Sequence, residues 1–128
     1  MMEAPPSAGA SGNFFNEQRF MRFKQKDVPF GKSILKLPDH EAVLEEGRRR
    51  AGVLEADAAQ ACLLEYKIIA DNLQKVVASL ESVDRDTQSG FTSATTESMG
   101  RAHNAYQLAA LLLSNLDART ERSIDKKA

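Results

Sequence analysis

The sequence predicts an all-α chain. It reads as an antiparallel, coiled-coil-like two-helix hairpin behind a disordered N-terminus, either bare or completed to a three- or four-helix bundle by the N-terminal segment or a partner. Three observations predict it. Ala59, Cys62, Tyr66, Ile69, Leu73, Val76, Leu80 and Val83 follow alternating steps of three and four, the spacing of one apolar seam along a helix. Met99, Ala102, Tyr106, Ala109, Leu113 and Leu116 repeat the pattern. Between the seams, VDRDTQSGFTS at 83–93 is polar and carries Gly90, the composition of a turn. So short a connection sends the second helix back along the first.

Taken in order, residues 1–12 (MMEAPPSAGASG) offer nothing to bury and read as disordered. Residues 13–38 form a Phe-rich, basic segment, either a short helix capped by Asn13 or extended chain. Pro29 and Gly31 interrupt any helix, and KSILKLP then continues in extended form. No strand alternation stands out. Residues 39–126 make up the helical pair. Asp39 after Pro38 is a good N-cap, with Glu41 near the positive end of the helix dipole. Gly47 and Gly52 each cost about 1 kcal/mol relative to Ala inside a helix, so a bend or a restart is expected there. Gly90 supplies the turn, Ser93 caps the second helix, and the basic tail RTERSIDKKA suits its C-terminal end.

Composition excludes several functions. Seventeen Lys/Arg against eighteen Asp/Glu leave a formal charge of −1, so no global field draws the chain to nucleic acid. The charge is nevertheless uneven. Residues 1–38 hold six basic and three acidic side chains, whereas 39–91 hold six and eleven. The single cysteine, Cys62, allows no internal disulfide. No N-terminal apolar run resembles a signal peptide, and LAALLL at 108–113 is too short to span a bilayer. The expectation is a soluble, cytoplasmic chain.

Nothing converges as a catalytic site, so no enzyme, cofactor, metal or small-molecule ligand is expected. His40 and His103 are far apart and read as surface histidines, and Cys62 on the seam reads as a small core residue. Glu45 with Glu46 reads as a solvated helix face. The run Arg48-Arg49-Arg50 reads as solvated too, with an ion-pair contact to an acidic partner as the alternative. The Ser/Thr cluster at 92–98 reads as a capping region.

Two candidate partner-binding surfaces remain. The first is the segment FFNEQRFMRFKQKDVPF, which holds five of the six phenylalanines. Its Phe14, Phe15, Phe20, Met21, Phe23 and Phe30, interleaved with Arg19 and Arg22, have the composition of protein–protein hot spots. It is expected to clip onto a neighbouring protein. The alternatives are an interfacial anchor on an anionic membrane and a cap on the chain's own helices. The second surface is Leu64, Ile68, Leu108 and Leu111, which lie off the two seams. Burying one such side chain is worth about 1.5–3 kcal/mol, so these helices have more apolar surface than they can hide against each other. The expected function is a non-catalytic adaptor or structural subunit of a multiprotein assembly, with a homo- or hetero-oligomeric protein partner. The alternative is a peripheral membrane-associating protein anchored through 13–30.

Overall fold

The computed structural model describes residue 15, residues 17–87 and residues 93–127, without the side chains of 86–87, 93–94 and 120–127. Among them the chain is predominantly helical, as expected, with three helices and a small two-stranded sheet that the all-α expectation lacked. A 3-10 turn at Gln18–Phe20 leads into strands β1 (Gln25–Phe30) and β2 (Ser33–Pro38). Helices α1 (His40–Ala51), α2 (Ala56–Thr87) and α3 (Ser93–Lys127) follow. Residues 1–12, Asn13, Phe14 and the expected turn at Gly90 lie outside the described residues.

Helices α2 and α3 pack along the two seams the sequence marks. Every seam residue from Cys62 to Val83 is buried, as is every one from Ala102 to Leu116; Ala59 and Met99 at the seam ends are half-buried. The helices run in opposite directions: Glu65 near the start of α2 meets Arg119 late in α3, while Ser79 shares a hollow with Arg101.

The strands correct the expectation of a strand-free chain. β1 and β2 form an antiparallel two-stranded sheet in which Val28 pairs with Leu35 and Asp27 with Lys36. Only Val28 is fully buried in β1, and only Leu37 and Pro38 in β2. So sparse a set of inward side chains leaves no period-two signal to read. Gly31, at the first position of the two-residue turn, has φ +63°, as the primed turns that match hairpin twist require. A two-residue turn makes Phe30 and Ser33 a hydrogen-bonded pair, so bonded pairs recur at Val28–Leu35 and Lys26–Leu37. Pro29 and Pro38 therefore fall where the backbone N–H would point outward, and the missing donors blunt the sheet's open edges. The turn is pinned to α2, since Gly31 N–H donates to Asp84 Oδ1 at 2.6 Å.

Asp39 caps α1 as expected: Glu41 N–H donates to its Oδ1 at 3.0 Å. The helix ends at Gly52, so α1 and α2 are separate helices. Gly47 has a different role, because it is buried where α1 crosses Tyr66 of α2. A Cβ built there would stand 2.7 Å from Tyr66 Cβ and 2.8 Å from its Cγ, closer than carbon atoms pack. The helix tolerates the low propensity of glycine to gain this close approach. Gly47→Ala is accordingly expected to destabilise by about 1–3 kcal/mol through overpacking, read as a lower urea midpoint with an unchanged slope. An unchanged or higher midpoint would show that α1 shifts freely.

Candidate functional site

The N-terminal segment forms a layer on the helices. Phe15, Phe20 and Phe23 are buried in the chain's own core, Phe20 completely. Phe15 meets Tyr106 of α3 edge-on with ring centroids 5.2 Å apart, and Phe20 lies 5.3 Å from the same ring. Tyr106 also ties down the backbone, since its hydroxyl accepts from Glu17 N–H at 2.7 Å. Burial pushes the Tyr106 phenol up to about 12. Phe30 is half-buried against the core, Met21 is exposed, and Phe14 lies outside the described residues. The arrangement is the cap on the chain's own helices, and Phe15, Phe20 and Phe23 are thereby removed from the candidate partner surface.

Arg22 knots this layer to two helices, and all five of its N–H groups are engaged. Nε donates to Glu46 Oε1 at 3.2 Å, and Nη2 to Glu46 Oε2 at 2.6 Å and Asp117 Oδ1 at 3.2 Å. Nη1 donates to Asp117 Oδ2 at 3.0 Å and to the Arg19 carbonyl at 3.3 Å. A planar guanidinium can fork to two carboxylates at once, which an ammonium cannot. The same group sits 4.7 Å from the centroid of the Phe23 ring. Arg19 joins Asp117 at 3.2 Å, Arg50 reaches Glu46 at 3.5 Å, and Tyr66 O–H donates to Glu46 Oε2 at 3.0 Å.

Electrostatics follow from this geometry. Burial alone would raise the Glu46 carboxyl, but the hydrogen bonds and charge of Arg22, with help from Tyr66 and Arg50, hold it below its ordinary value. The carboxylates in turn drive Arg22 up, and burial beside Glu46 raises the Tyr66 phenol. The knot corrects two readings. Glu46 is buried rather than solvated, although Glu45 beside it is exposed; Arg50 turns inward, although Arg48 and Arg49 face water. Its signal lay in the helical spacing: Val43, Glu46, Gly47 and Arg50 share one side of α1, and Asp117 follows Leu113 by four. Every group in the knot is held by another, and together they clasp the N-terminal layer to α1 and α3.

The other candidate residues are in the open. Leu64 is 59% exposed, Ile68 41%, Leu108 45% and Leu111 58%. Ile68 lines a groove of about 480 Å³ with Leu112, Asn115 and Arg119. Leu108 lines a second of about 500 Å³ with Asn72, Lys75 and Arg101. These grooves run between α2 and α3 on the side away from Tyr106 and Asp117, where the N-terminal layer sits. Leu111 shares a hollow with Leu108 and Glu17 at the margin of that layer.

Cys62 is buried, its thiol raised by desolvation and 3.8 Å from the Gly47 carbonyl. His40 lies 3.0 Å from the Gln74 side chain, and His103 is half-buried on α3. Among the described residues, no three His, Cys, Asp or Glu side chains gather as a metal site, and no helix is long and apolar enough to cross a membrane. No family model, curated protein or solved structure matches the chain.

Proposed function

We propose that the chain is a non-catalytic helical subunit of a cytoplasmic protein assembly, an adaptor whose α2–α3 pair is completed by helices of a partner. One observation carries this reading: Leu64, Ile68, Leu108 and Leu111, all on the α2–α3 pair, are exposed by 41% or more. Covering them would gain several kcal/mol at about 1.5–3 kcal/mol per side chain. A protein partner is favoured over a membrane anchor at 13–30. That anchor needs its phenylalanines on the outside, and Phe15, Phe20 and Phe23 are spent in the core.

The test is the mass of the native species. In gently lysed cells the 14.1 kDa chain is expected to elute in a particle well above its own mass. Replacing Leu64, Ile68, Leu108 and Leu111 together by serine should return it to monomer size, with the thermal midpoint of the purified protein little changed. Light scattering on the purified chain then separates self-assembly from a foreign partner. Elution of the unaltered chain as a monomer overturns the reading.

A further inference from the structure

We infer that the occupant of the open α2–α3 face is an acidic amphipathic helix, its apolar residues seated over Ile68, Leu108 and Leu112 and its carboxylates over Lys75 and Arg101. This rests on the reading of that face as a partner surface and adds the partner's chemistry to it.

Charge is laid unevenly along the face. At the end nearer the start of α2, the groove has Ile68, Leu112 and Leu116 on its walls, and its one acid, Glu65, is bonded to Arg119, so the two charges there cancel. At the other end, Asn72, Lys75, Ala78 and Ser79 of α2 face Arg101, Asn104, Ala105 and Leu108 of α3 across about 500 Å³. Among the described residues lining that hollow are two cations and two amides, and no carboxylate. Lys75 and Arg101 are both exposed. Arg101 bonds the neutral Ser98 hydroxyl at 2.8 Å. Asp71, four residues before Lys75, is turned to Lys67 at 3.1 Å. The face thus pairs a half whose charges cancel with a cationic half, with apolar side chains in both, and the complement of that pattern is an apolar helix with an acidic flank. The long hollows between α2 and α3 suit the ridge of a third helix better than a flat lipid surface.

The probes are two designed helical peptides with the same leucines at helical spacing, one flanked by glutamates and one by lysines. Each is titrated into the full chain and followed by fluorescence anisotropy. The acidic peptide is expected to bind about five- to tenfold more tightly, the range that two partly exposed ion pairs supply. The preference should shrink as salt is raised. Lys75→Glu with Arg101→Glu should reverse it, and because both positions are exposed the fold should stand. Ile68→Asp with Leu108→Asp should abolish binding of both peptides.

Equal affinity for the two peptides overturns the inference while leaving a docking face in place. Binding of neither peptide also overturns it, and the mass measurement above then decides the broader reading on its own. Two further results would assign the face to another occupant and overturn the inference as well. One is a concentration-dependent dimer of the purified chain that Ile68→Asp dissolves; the other is uptake by phosphatidylserine vesicles with no binding of either peptide.

Discussion

Arg22→Ala is expected to destabilise the isolated protein by about 3–5 kcal/mol, the usual cost of removing one partner from a buried ion pair. Its side chain is itself 35% exposed, which would argue for less. The carboxylates it leaves behind decide the matter, because the Glu46 and Asp117 side chains are only 11% and 10% exposed. Both would then depend on the more distant Arg50 and on Arg19. Arg22→Lys should recover little, since one ammonium cannot supply five directed N–H groups to two carboxylates and a carbonyl. The measurement is urea unfolding of the two variants beside the parent. A lysine variant with parental stability would show that the guanidinium fork is dispensable.

The knot also sets the shape of the pH profile. Glu46 titrates below its ordinary 4.5 in the folded chain, so its contribution is present above that value and lost as pH falls through the lower folded one. The phenols work in the opposite sense. Tyr66 is raised above 10, and Tyr106 is raised to about 12. Their contribution is full below the unfolded value and disappears as pH climbs through the folded values. The Cys62 thiol, raised above 9.0 by burial, acts in the same sense, so stability should hold level between about 5 and 9 and fall on both sides. Arg22→Ala should flatten the acid limb and leave the alkaline limb in place.

How much of this was legible depends on how local the cause is. The seams were readable because their period repeats over many turns, and every residue from Cys62 to Val83 on the first is buried. Asp39 was readable because a cap acts within two residues. The N-terminal layer was not. Phe15, Phe20, Phe23 and Arg22 have the same composition whether they meet a neighbouring protein or their own chain. What settles it is Tyr106 and Asp117, 89 residues from Glu17 and 95 from Arg22, and no local pattern encodes that meeting. Gly47 misled for a related reason. Read alone it weakens a helix, and only Tyr66 on the crossing helix explains it. The four off-seam residues were read from spacing alone, and the structure leaves them in the open.

Phe20→Ala separates a core role from a partner role most sharply. Phe20 is fully buried, between the rings of Tyr106 at 5.3 Å and Phe23 at 6.4 Å. Truncating a phenylalanine in such a place costs about 3–5 kcal/mol, through lost transfer energy and the cavity left behind. Out of a total of about 5–15 kcal/mol, that is enough to bring the chain close to unfolding. At about 2–8 °C per kcal/mol for domains bracketing this size, the thermal midpoint should drop by about six degrees or more. Were Phe20 instead an anchor for another protein, the isolated variant would melt like the parent and fail only in binding. Met21→Ala is the control beside it, exposed by 43%, and should barely move the melt. A Phe20→Ala midpoint within a degree or two of the parent's would detach the N-terminal layer from the core and restore the segment to the partner surface.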